Sequence, residues 1–118
     1  MTIHEFYHTV GGDYADVLSR FQNDTLTAKF LRMIPRDESI NLLENAMAAN
    51  DAASAFRAVH TLKGVALNLG LSRLASACSD MAEALRGSDT LPASAAELGS
   101  AVRAEYDAVR SALEQLDA

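Results

Sequence analysis

The chain has 118 residues, enough for one domain with one core and too few for two ordinary ones. Apolar residues make up 49% and proline occurs only twice, which excludes a disordered or fibrous chain and favours a compact helical one. With 16 acidic against 10 basic residues, the net charge of −6 argues against binding a nucleic-acid backbone, and no apolar run approaches the roughly 18 residues of a membrane span.

In chain order, "TIHEFYHTV" reads as a short first helix closed by Gly11 and Gly12. Asp13 caps a second short helix that carries Tyr14, Val17, Leu18 and Phe21. Asn23 and Asp24 start a third, with Leu26, Phe30, Leu31 and Ile34 along it, and Pro35 helps to end it. Asp37 then caps a helix with Ile40, Leu43 and Met47 on its buried stripe, stopping around Asn50. Asp51 caps the next, which runs to Leu69, where Gly70 suits a left-handed terminating residue. Ser72 opens another, with Leu71, Leu74, Cys78, Met81 and Leu85 at helical spacing, and Gly87 stops it before the longest loop, "GSDTLP". The last helix begins near Pro92 and carries Leu98, Val102, Glu105, Tyr106, Val109, Leu113 and Leu116.

No stretch alternates strictly enough for a strand. The expected fold is all-α: a single domain, 1–118, in which residues 37–117 form an antiparallel up-and-down four-helix bundle and short helices in 1–36 cap or flank it. The N-terminus lacks the charged-then-apolar order of a signal peptide, and Cys78, standing alone, can form neither an internal disulfide nor a thiolate metal site. The expectation is a cytoplasmic monomer with no nucleic acid, membrane or metal among its ligands.

The stretch "FRAVHTLKGVALNLGL", residues 56–71, holds a conflict: it has helical spacing, yet Gly64 sits in the middle at a cost of about 1 kcal/mol relative to alanine. Successive helical residues advance by about 100°. With His60 set at the front, Ala55, Ala58, Leu62, Val65, Ala66 and Leu69 fall on the back as the core-facing band. The front stripe holds Phe56, Arg57, His60, Lys63, Gly64 and Leu67. Large apolar side chains grouped around a polar centre suggest a docking surface. Gly64 removes every atom beyond Cα from the space beside the imidazole, and Lys63 offers a movable point charge of the kind found in phosphate sites. An exposed histidine, a cleared neighbour and an adjacent cation make a place where phosphate could be held.

At these residues the sequence resembles the histidine-containing phosphotransfer (HPt) domain family, whose helix motif His-x-x-Lys-Gly, often with a glycine six residues after the first, stands here as "HTLKGVALNLG". The preceding "AANDAASAFRAVHTLKG" and the following "GLSRLASACSDMAEALR" match the family's turn and next helix. The resemblance implies a phosphorelay intermediate in two-component signal transduction. His60 would be the phosphoacceptor, exchanging a phosphoryl group with a response-regulator receiver aspartate or a histidine kinase. Lys63 would offset the charge, Gly64 would give access, and Phe56, Arg57 and Leu67 would meet the partner. The chain would be a carrier without kinase activity or cofactor of its own, with Mg²⁺ held in the receiver. An exposed imidazole is largely neutral and nucleophilic at pH 7, and phosphoryl transfer asks mainly for positioning and charge stabilisation.

Two departures from the family pattern stand out: Leu67 is large where small residues are common, and the position that often carries a glutamine holding the imidazole is Ala82, flanked by Ser79 and Glu83. The rival reading is an HPt-fold binding module that sequesters a receiver or kinase without chemistry. His4 and His8 share an i, i+4 spacing with no evident third ligand, and a carboxylate-bridged di-metal bundle fails because Arg57 stands three before His60.

Overall fold

The computed structural model describes residues 1–117, which form seven α-helices and one 3₁₀ turn, with no strand among them. The helices are α1 (Ile3–Val10), α2 (Tyr14–Phe21), α3 (Asp24–Leu31), α4 (Ser39–Ala48), α5 (Ala52–Asn68), α6 (Ser72–Leu85) and α7 (Ala95–Glu114). Their starts follow local side-chain chemistry: Thr2, Asp13, Asn23 and Asp51 each accept a hydrogen bond from the free backbone N–H three residues on. At Asp51 the carboxylate takes both the N–H and the hydroxyl of Ser54, which hold its pKa below the usual carboxylate range. Three boundaries differ from expectation, one of them the end of α7, which stops at Glu114, short of Leu116. The third helix stops at Leu31, and Ile34–Arg36 form the 3₁₀ turn with Pro35 inside it, because proline disfavours helical backbone at the residue before it. Glu38, not Asp37, is the N-cap of α4, although Asp37 still accepts from the Ser39 N–H at 2.8 Å.

Helices α4 to α7 pack in sequence, α5 lying between α4 and α6 and α6 against α7. Cross-helix pairs fix the directions. Arg73 meets Glu105 near one end of the α6–α7 contact, whereas Met81 approaches Gly99 near the other, so the two helices run antiparallel. Glu44–Arg103 and Met47–Gly99 give the same sense for α4 and α7.

The helices are unequal: ten residues in α4 span about 15 Å, against about 30 Å for the twenty of α7. Helix α4 therefore meets only the first half of α7. The second half is covered by α1, whose start lies at the end of α7, where the Met1 ammonium bonds the Gln115 carbonyl and the Asp117 carboxylate. The buried residues of α1–α3, including Phe6, Tyr7, Val10, Val17 and Leu31, belong to the same core as those of α4–α7.

The N-terminal corner also grips the end of α5. The Tyr7 hydroxyl donates to the Leu69 carbonyl at 2.6 Å in a buried setting, and burial raises the pKa of that phenol well above its ordinary value. Arg20 donates to the Asn68 carbonyl at 2.7 Å, and the Asp13 N–H donates to Gly70 O at 2.8 Å. These bonds satisfy carbonyls that a helix C-terminus leaves without partners. Tyr7→Phe should lower the unfolding free energy by about 1–3 kcal/mol, because it leaves the Leu69 carbonyl buried without its donor. A denaturant melt with an unchanged m-value checks this.

Candidate functional site

Seventeen residues of α5 carry Arg57 and Lys63 and no carboxylate, in a chain whose net charge is −6. Its buried face is built from Ala52, Ala55, Ala58, Val59, Leu62 and Ala66. His60 and Gly64 lie on the solvent side, and Leu67 is 53% exposed. Val65, expected in the buried band, is half-buried, and Val59 is fully buried on the flank that meets α6.

The imidazole of His60 is exposed and makes no hydrogen bond or ion pair among the described residues, so neither ring nitrogen is engaged by another group of the chain. Beside it Gly64 opens a gap: a Cβ built there meets nothing within 4 Å. The glycine is therefore not required by packing, and its exposure is a property of the surface around His60. Lys63, one turn beyond His60, is half-buried and forms no ion pair among the described residues. Its charge is near enough to favour the Cys78 thiolate slightly, but burial dominates and pushes that thiol up to about 12, leaving Cys78 an inert core residue.

Arg57 is exposed and tethered: its guanidinium donates to the Ser54 hydroxyl at 2.9 Å, which in turn donates to the Asp51 carboxylate at 2.7 Å. Phe56 departs from the expected free front stripe. It is half-buried and packs against the core, because α6 runs alongside this flank of α5. Its ring is stacked on the His60 imidazole, centroids 5.9 Å apart and planes inclined by 18°, and the Arg86 guanidinium lies over it at 5.3 Å.

Ala82 is buried in the core, so no polar group from that position of α6 reaches the imidazole. Ser79 is half-buried, and the exposed Glu83 bonds Arg86 at 3.1 Å. Sequence reasoning missed Arg86 at this site, since only the antiparallel register of α5 and α6 brings a residue thirty positions away beside Phe56.

Further apolar surface flanks α5. Leu42 of α4 is 57% exposed and lines a shallow depression with Ser39, Ser54, Arg57, Ala58 and Thr61. Met33 is 50% exposed and borders Val65 and Leu69. Exposed large apolar side chains thus lie both on the histidine helix and beside it, the arrangement expected of a surface that meets another protein.

The remaining histidines sit elsewhere. His4 is exposed on α1, edge-on to Tyr14 at 5.1 Å, with His8 one turn on. Among the described residues no cluster of three His, Cys, Asp or Glu side chains could hold a metal ion, and no helix is long and apolar enough to cross a membrane.

A family model described as the Hpt domain matches residues 26–118, most of the chain. No curated protein and no solved structure matches it.

Proposed function

The chain belongs to the Hpt domain family, whose members carry phosphoryl groups on histidine in two-component systems, and on that premise we propose that His60 accepts a phosphoryl group and exchanges it with a receiver-domain aspartate. The observation that carries this reading is the open space over Gly64 beside an exposed, unpaired imidazole. In the transfer, a ring nitrogen lone pair forms the N–P bond as the P–O bond to the partner's carboxylate breaks, and the electrons of that bond return to the carboxylate. Charge spreads over the three phosphoryl oxygens, so positioning and nearby cations matter more than covalent help from the protein.

Lys63 supplies one such cation from the next turn, and α5, which also bears Arg57, places no carboxylate of its own beside the phosphate; Glu83 on the neighbouring α6 is ion-paired to Arg86. Leu67 and Leu42, both more than half exposed, give the partner apolar surface near the acceptor. The chain acts as a carrier: the partner brings the phosphoryl group, its aspartate and the Mg²⁺ that serves that aspartate.

The test is incubation with receiver domains from the same genome, each phosphorylated with a labelled small phosphodonor. Label should move to this chain and prove acid-labile and base-stable, as phosphohistidine is. Tight receiver binding without label would instead identify a sequestering module and overturn the proposal. Lys63→Ala should slow transfer about tenfold, corresponding to roughly 1.4 kcal/mol of transition-state stabilisation. Its melting temperature should stay near that of the parent, because the ammonium has no ion-pair partner among the described residues to lose.

A further inference from the structure

An exposed histidine with no hydrogen-bond partner has two free torsions, and both must be set before the ring can attack in line. In this chain no side chain hydrogen-bonds either ring nitrogen among the described residues, and the buried methyl of Ala82 cannot. The ring does have an aromatic neighbour. Phe56 stands one turn before His60 on the same side of α5, and the two rings lie nearly parallel, 18° apart in inclination with centroids separated by 5.9 Å. Phe56 is itself fixed: it packs against the core, and the Arg86 guanidinium lies over its ring at 5.3 Å, within the range of a cation–π contact. Arg86 in turn is held by Glu83 at 3.1 Å, at the point where α6 ends before the left-handed Gly87.

We propose that Phe56 is a positioning residue for the phosphotransfer reaction: braced by Arg86, its ring holds the His60 imidazole by stacking, so that the nitrogens point to the partner without a hydrogen bond to orient them. The inference rests on the reading of His60 as phosphoacceptor and assigns Phe56 a role distinct from touching the partner. Stacking differs from hydrogen bonding in a useful way. It restrains the plane of the ring while leaving both nitrogens free for chemistry, and it imposes no tautomer. A ring held near its reactive orientation has less freedom to lose at the moment of transfer, so the gain falls on the rate within the complex and not on the affinity of the complex.

The experiment uses the full chain and its Phe56→Leu and Phe56→Tyr variants, with two measurements on each. Proton NMR of the His60 imidazole reads the stack through the ring-current shift of its carbon-bound protons. Transfer from a phosphorylated receiver, measured over a range of receiver concentrations, separates the maximal rate from the half-saturating concentration. Phe56→Leu should abolish the ring-current shift and lower the maximal rate roughly three- to tenfold, with half-saturation unchanged. Phe56→Tyr should restore both, since it keeps the ring. A thermal melt of each variant removes general unfolding as the cause.

Imidazole shifts that are the same in Phe56→Leu and wild type would overturn the proposal. So would an unchanged maximal rate with a raised half-saturating concentration, which would make Phe56 a partner contact instead. Failure of the wild-type chain to accept label from any receiver is a separate outcome, and it would sink the phosphoacceptor reading along with this one.

Discussion

His60→Gln should reduce phosphoryl acceptance to background while leaving the protein folded. Glutamine is a polar helix former of similar length, but its amide nitrogen has no lone pair available to form the N–P bond. The structural loss is small, because the imidazole is exposed and forms no hydrogen bond or ion pair among the described residues. What disappears is the stack on Phe56, so stability should change by no more than about 0.5–1 kcal/mol. Transfer kinetics and a denaturant melt, measured on one preparation, separate the two effects. Residual label would have to reside on His4 or His8, the other exposed histidines, both on α1. Neither has a neighbouring glycine gap like that at Gly64, and His4 faces the Tyr14 ring, so full retention of label in His60→Gln would refute the assignment of the site to α5.

The histidine helix was legible in the sequence where a single period decides the answer. Ala55, Ala58, Leu62 and Ala66 lie well inside the apolar arc and are buried; His60, Gly64 and Leu67 lie well outside it and are exposed. Capping residues were legible for the same reason, since Asp13, Asn23 and Asp51 act within three residues of themselves. At the edges of the arc, the period is not sufficient. Val59 and Phe56 sit on the flank toward α6, and whether a flank residue is covered depends on where the neighbouring helix lies, which no local pattern encodes. The placement of Arg86 over Phe56 requires the α5–α6 register, and the placement of α1 beside the second half of α7 follows from the unequal lengths of α4 and α7. These are long-range consequences of packing, so the orienting ring was read from sequence as a piece of docking surface.

The two glycines of the motif behave oppositely in the structure, and substitution should expose the difference. Gly70 is structural. Its φ is +66°, and a Cβ there would approach the Asp13 carbonyl oxygen at 2.9 Å and the Val17 Cβ at 3.2 Å, so Gly70→Ala is strained both in its backbone and in its contacts. Gly64 has ordinary helical backbone and empty space beside it, so the fold gains nothing from the absent side chain. Gly64→Ala should therefore raise stability by about 0.5–1 kcal/mol, the mid-helix cost of glycine. In melting temperature that is a rise of roughly 2–6 °C for a chain of this size.

Gly64→Gln should also fold at least as well as the parent, yet lose transfer by about a hundredfold or more. Its side chain would sweep the side of the imidazole through which the phosphoryl group and its carrier must come, and in-line attack tolerates little displacement. The diagnostic is the opposition of signs along the series glycine, alanine, glutamine: stability rises at the first step while transfer falls with side-chain size. Were the activity loss to come with a stability loss, packing would explain the glycine instead. Were Gly64→Gln to transfer at the parental rate, the gap beside His60 would have no part in the chemistry, and the stability forgone at that position would need another cause.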